Sequence, residues 1–206
     1  MMWRSTRMST KPLVGGGKGW ERDVEAMLRA VGGYAHRHEP KMAGKIRIAG
    51  GVPDFEVILL GRAHLVECKH SSGTSAALGR LVDTGKDCPP EGISPKQAAE
   101  MDAATAAGAR CWIAVRLEVP ESTRRRAAQV ALDGSGGDMP AVIRRLVPWT
   151  LWRARMVAAE EARRAGGDVV ASIPAAELAA LGWPLRSAGE LRAALMDNSM
   201  DNGGAE

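Results

Sequence analysis

The stretch Gly51-Val-Pro-Asp-Phe-Glu-Val-Ile-Leu-Leu-Gly-Arg-Ala-His-Leu-Val-Glu-Cys-Lys69 decides the fold class. It contains two apolar runs, 54–60 and 63–69, around Gly61-Arg62. The β-branched and alternating residues of each run predict a strand, and Gly at the first central position suits a tight hairpin. A two-residue or four-residue loop centred there sets Asp54 opposite Lys69 and Glu56 opposite Glu67. Opposed residues share a sheet face, as do positions i and i+2. Asp54, Glu56, Glu67 and Lys69 are therefore expected on one face at one end of the hairpin. The other face carries Phe55, Val57, Leu59, Val66 and Cys68, which is core material.

Several acids on a half-buried face repel one another beyond what one lysine offsets, and a divalent cation relieves that repulsion. Hard cations take carboxylate oxygens, and Mg²⁺ needs only one or two of them beside phosphate and water. Such an ion polarises a phosphate and lowers the pKa of a bound water. A lysine beside it can orient the water or stabilise charge in the transition state. The same spacing also suits a plain cross-strand salt bridge of Asp54 with Lys69, because short acidic motifs recur by chance.

Working outward, Trp20, Val24, Met27, Leu28 and Val31 recur at helical spacing and predict a helix over 18–31, stopped by Gly32-Gly33. Residues 34–39 suit a short strand, and 40–51 a basic loop or small hairpin. Residues 71–93, rich in Ser, Gly, Pro and Asp, read as a mobile loop. Ser94-Pro95 opens a helix to about Ala107, with Gly108 as its stop. Residues 111–117 form a third core strand, and 132–140 a Gly-rich link. Arg145–Trp149 suits an edge strand, 150–165 a helix, and Ile173–Leu178 a turn into a short helix. Strands interleaved with helices indicate a mixed α/β sheet with flanking helices. The expected organisation is a basic tail over 1–16, one domain over 17–185, and a C-terminal tail over 186–206, disordered from Asn198 onward.

The quoted motifs carry a resemblance. Gly51-Val52-Pro53-Asp54 followed by Glu67-Cys68-Lys69 resembles the PD-(D/E)XK motif of the restriction-endonuclease-like nucleases. Leu60-Gly61-Arg62-Ala63, the upstream Gly17-Lys18-Gly19-Trp20-Glu21, and His36 with Pro40 are similar to RecU-type Holliday junction resolvases. So are Ser94-Pro95-Lys96-Gln97 and Gly108-Ala-Arg-Cys-Trp-Ile-Ala-Val115. The ordered match spans about residues 15–118.

The resemblance implies a restriction-endonuclease-like mixed sheet and a Mg²⁺-dependent endonuclease, with Mn²⁺ as a substitute, that cuts four-way DNA junctions. Asp54 and Glu67 would be the principal metal ligands, joined by the Cys68 carbonyl and by Glu21. Lys69 would be the catalytic lysine, and Gln97 would position water or phosphate. Glu25, one turn beyond Glu21, competes for the same place. Lys18, Lys41, Lys45 and Arg47 would contact phosphates. Symmetric cutting of a junction calls for a two-fold homodimer. Two alternatives stand beside this reading: a related nuclease acting on duplex or flap DNA, and a non-catalytic DNA-binding protein on the same fold. The sequence departs from the family at 40–51, where a long basic stalk is replaced by a short segment.

The chain has 206 residues, enough for one ordinary domain, with 45% hydrophobic and 25% charged residues. No apolar run approaches the ~20 residues of a membrane span, and the basic N-terminus lacks the apolar stretch of a secretory signal. Cytoplasmic location is expected. The net charge of +4 is a weak pointer to a polyanion. Its clustering says more, in residues 1–18, in 41–47 and at Arg124-Arg125-Arg126. Cys68, Cys88 and Cys111 show no zinc spacing and are expected as reduced thiols.

Overall fold

The computed structural model describes residues 17–38, 42–43, 46–47, 52–81, 92–132, 139–166 and 171–197. In chain order the elements begin with α1 (Gly17–Ala30), β1 (Tyr34–Arg37), β2 (Met42–Ala43) and β3 (Ile46–Arg47). The hairpin follows as β4 (Phe55–Leu59) and β5 (Arg62–Ser72), then β6 (Ser75–Ala77), α2 (Pro95–Ala106) and β7 (Arg110–Glu118). The chain continues through α3 (Glu121–Leu132), β8 (Val142–Pro148), α4 (Trp149–Arg164) and β9 (Ser172–Pro174). It closes with α5 (Ala175–Ala180), β10 (Trp183–Pro184) and α6 (Ala188–Met196).

Six strands form one mixed sheet in the order β1-β4-β5-β7-β8-β10. Only β5 and β7 run parallel in it, and α2 lies between them in sequence, as a parallel pair requires. β7 is buried on both faces over seven consecutive residues, Cys111–Leu117, because helices cover both sides of it. On one face α1 and α6 supply Trp20, Val24, Leu28, Leu191 and Leu195 to a core with Phe55 and Val66. On the other, α2 and α4 bring Met101, Trp149, Trp152 and Met156 against Ile113 and Val115. The expected mixed sheet with flanking helices is what is observed.

The structure corrects the hairpin. Its turn is Leu60-Gly61, not Gly61-Arg62, and the observed pairs are Phe55 with Val66, Glu56 with Leu65 and Leu59 with Arg62. Both turn residues have positive φ, +50° at Leu60 and +77° at Gly61. That is the primed geometry whose twist matches the strands it joins. The shift places Glu56 opposite Leu65 and leaves Asp54, just before β4, level with Glu67. Because the slip is two residues, each side chain keeps its face; a one-residue slip would have inverted them all.

Other expectations shift more mildly. The segment 40–51 contains the small hairpin, with Met42 paired to Arg47 and Ala43 to Ile46. The supposed loop 71–93 is partly built: β5 runs to Ser72, β6 pairs with β9, and Gly79 bridges to Ile93. Ala76, Leu78 and Ile93 are core residues, which is why this Ser- and Gly-rich chain holds its path. β8 is not an edge, since β7 and β10 flank it. Packing continues past residue 185, because Leu191, Ala194 and Leu195 of α6 are buried in the core. The expected tails at 1–16 and from 198, residues 133–138 of the Gly-rich link expected at 132–140, and Cys88 lie outside the described residues; Cys68 and Cys111 are unpaired thiols. No helix among the described residues is long and apolar enough to cross a membrane.

Candidate active site

The hairpin and the first turn of α2 converge on one polar cluster. Asp54 is fixed through its backbone on both sides: its carbonyl accepts from His38 N at 2.8 Å, and its N–H donates to Glu67 Oε2 at 3.2 Å. Its carboxylate Oδ2 accepts from Cys68 N at 2.8 Å. Asp54 and Glu67 are thus locked to each other through main chain. The lock depends on the register that the Leu60-Gly61 turn sets.

Glu67 and Lys69 share the α2-side face of β5. Glu67 is 2% exposed, and Lys69 Nζ stands 2.8 Å from its Oε1. The same oxygen accepts from Gln97 Nε2 at 2.5 Å, while Gln97 Oε1 lies 3.5 Å from Lys69 Nζ. Gln97 is aimed by a capping box. Ser94 Oγ accepts from Gln97 N at 3.2 Å, and Ser94 N and Oγ both donate to Gln97 Oε1, at 3.0 and 3.1 Å. The amide oxygen serves the helix start, so the amide nitrogen is left to face Glu67. Burial pushes the Glu67 carboxyl up to about 7; the Lys69 ammonium opposes that rise and the Asp54 carboxylate adds to it.

Glu21 of α1 approaches from the other side of the sheet. Burial chiefly, and then the Asp54, Glu67 and Glu21 carboxylates, push the Cys68 thiol well above its ordinary value. That thiol packs against the α1-side core, so it is not poised as a nucleophile. Glu21 is engaged by Arg37 of β1, whose Nη2 lies 2.5 Å from its Oε2. Arg37 also reaches Glu25 at 3.5 Å, and Arg29 holds Glu25 at 2.6 Å. Arg37 escaped the sequence reading. Its one available signal was its alternation with Ala35 on the helix-facing side of a strand expected at 34–39. Glu56, on the open sheet face, stands 3.7 Å from His38 Nε2 and is 43% exposed, apart from the cluster. The side chains of Lys18, Lys41, Lys45 and Arg47 lie outside the described residues.

Asp54 and Glu67 are the pair that could hold a hard divalent cation, with the carbonyl of Cys68, the residue after Glu67, as a further oxygen. Among the described residues, no three His, Cys, Asp or Glu side chains are grouped to hold a metal by themselves. A two-carboxylate donor set fits Mg²⁺, which takes its remaining ligands from phosphate and water.

No family model and no curated protein significantly matches the sequence. Among solved structures, the chain is similar to Hjc, a Holliday junction resolvase from the archaeal hyperthermophile Archaeoglobus fulgidus. The similarity covers 51% of this chain and 70% of that one, at 18% identity and a TM-score of 0.31. A likeness that slight fixes neither fold family nor activity.

Proposed function

We propose that the chain is a Mg²⁺-dependent DNA endonuclease of the PD-(D/E)XK type, on a restriction-endonuclease-like sheet, acting on four-way junctions as a homodimer. One observation supports this above all. Asp54, Glu67, Lys69 and Gln97 interlock around a buried carboxyl whose pKa burial raises to about 7. A buried carboxyl with a raised pKa, held beside a lysine and an amide, is the arrangement by which active sites tune an acid or base.

In this reading Asp54 and Glu67 hold the cation, with the Cys68 carbonyl adding a backbone oxygen. When bound, the cation supplies Lewis acidity to the phosphodiester and to its attacking water. Lys69 brings its ammonium to the same oxygen of Glu67 and is placed to stabilise charge gathering on the phosphate. Gln97, fixed by Ser94, orients water or a phosphate oxygen through its amide nitrogen. Glu21 joins the acidic set once Arg37 yields it. Hydrolysis leaves 5′-phosphate and 3′-hydroxyl ends. The basic segments 1–18 and 41–47 would carry the backbone contacts and make binding steeply salt-dependent.

The test is cleavage of a synthetic four-way junction beside its linear duplex arms, with Mg²⁺ and with EDTA. Wild type is expected to cut the junction selectively and only with metal. Asp54→Asn and Lys69→Ala are each expected to lose on the order of 10²–10³-fold in rate, as loss of one preorganised charge-stabilising contact does. Equal cutting of duplex and junction would leave a nuclease but remove the junction reading. Undiminished cutting by both variants would remove the site assignment. Tight junction binding without any cutting would favour a binding protein.

A further inference from the structure

One residue beyond Lys69, on the opposite face of β5, a second polar row crosses the sheet. His70 pairs with Arg116 of β7, and Arg116 pairs with Arg144 of β8. Ala114, two residues before Arg116, belongs to the core beneath α1, so this row lies on the α1 side. Arg116 is 5% exposed. Its Nη2 donates to Glu118 Oε1 at 2.8 Å, and the same oxygen stands 3.4 Å from His70 Nε2.

The remaining donors are unmatched. Arg116 Nε, Arg116 Nη1 and Arg144 Nε are buried and have no hydrogen-bond partner among the described residues. Asp23 of α1 is close enough for both arginines to act on its carboxyl, yet its buried Oδ2 bonds neither. Buried polar groups are almost always paired, and each exception calls for an explanation such as a bound ion. Like charges directly opposed on neighbouring strands are also unfavourable. Burial first, and then Arg116, draw Arg144 below its ordinary value, while Asp23 and Glu118 offset this only in part.

We propose that the His70–Arg116–Arg144 row is a phosphate-binding site, separate from the Asp54–Glu67 cluster. A tetrahedral oxyanion accepts from several N–H groups at once, and two neighbouring guanidinium forks present them. The unmatched guanidinium groups offer only N–H donors, which suit an anion and not a metal. Glu118, 39% exposed at the rim, makes to Arg116 and His70 the contacts a phosphate oxygen would make, and is the group a phosphate displaces. The site stands whether or not the chain cuts DNA.

The experiment is thermal unfolding of the full chain in inorganic phosphate against sodium chloride of equal ionic strength and pH. Wild type is expected to gain a saturable rise in Tm specific to phosphate. Arg144→Gln, a partly exposed position that tolerates change better than Arg116, is expected to weaken apparent phosphate affinity at least tenfold. Glu118→Gln removes the competing carboxylate and is expected to tighten it. Asp54→Asn should respond like wild type, which separates this site from the proposed catalytic one.

No phosphate-specific rise in wild type, or an undiminished response in Arg144→Gln, overturns the proposal and leaves ordered water as the occupant. The source of the phosphate is read from duplex DNA binding against salt concentration. If the DNA backbone supplies it, the log–log slope of Arg144→Gln falls by about 1. An unchanged slope, with the phosphate response still dependent on Arg144, assigns the site to free phosphate.

Discussion

The two faces of β5 carry two buried polar clusters that are built in opposite ways. On the α2 side, both oxygens of Glu67 are engaged, one by Lys69 and Gln97 and the other by the Asp54 main chain. On the α1 side, one residue further along, two arginines face each other with three guanidinium nitrogens unmatched among the described residues. The first cluster is organised before any ligand arrives, which is what catalysis by preorganised charge requires. The second is incomplete without one, which is what a binding site requires. The alternation of a single strand, Lys69 one way and His70 the other, separates the two clusters.

The largest stability effect that tests this contrast concerns Glu67. Its folded-state pKa of about 7 lies above the ordinary 4.5 of the unfolded chain. Between those values the folded state binds the extra proton. Its stability is therefore full below about 4.5 and is lost as pH rises through about 7. A shift of this size corresponds to roughly 3 kcal/mol. Without metal, urea unfolding of wild type should show that decline relative to Glu67→Gln across the window. A saturating divalent cation, which favours the charged carboxylate, should flatten the wild-type curve. Parallel curves for the two proteins would mean that the cluster does not confine its charge as described.

A smaller effect separates the aim of Gln97 from its presence. Ser94→Ala removes a helix N-cap that bonds both the backbone and the side chain of Gln97. Loss of such a cap costs about 1 kcal/mol of stability. If the capping box also aims the amide at Glu67, cleavage should fall by about tenfold, the equivalent of 1.4 kcal/mol in the barrier. Ser94→Asp, which restores the cap but places a carboxylate beside Gln97 Oε1, should recover stability without recovering rate. Equal recovery of both would reduce Ser94 to a helix-capping residue.

What the sequence could show follows from the range of each interaction. The helices expected over 18–31 and from Ser94-Pro95 to about Ala107 are local patterns and form as Gly17–Ala30 and Pro95–Ala106, and the two strands around Asp54 and Glu67 form with shifted ends. The face shared by Asp54, Glu67 and Lys69 was also legible, because alternation survives an error of two in register. The register itself was not, since Gly61 suits either central position of a turn and Leu60 gives no hint of positive φ. The Arg37–Glu21 contact, the Arg116–Arg144 opposition and the burial of α6 depend on elements brought together from distant parts of the chain. No periodicity encodes such meetings.

The turn supplies the finest test, because it sets the row on which the acidic cluster depends while touching neither cluster. Leu60 holds φ at +50° and is 73% exposed, so it bears backbone strain with little burial in return. Asn adopts that conformation far more readily, and Asn-Gly is the preferred pair for a turn with two positive φ values. Leu60→Asn is expected to stabilise the protein by about 1 kcal/mol, a rise in Tm of roughly 2–4 °C for a chain of this size. Gly61→Ala should move the other way by a similar amount. A Cβ there meets nothing within 4 Å, so its cost is conformational alone. Metal-dependent cleavage by Leu60→Asn should match wild type, because the register is reinforced and not changed. A stabilised hairpin with altered cleavage would show that Asp54 and Glu67 rely on play in the turn, and that the acidic cluster is less preorganised than its hydrogen bonds imply.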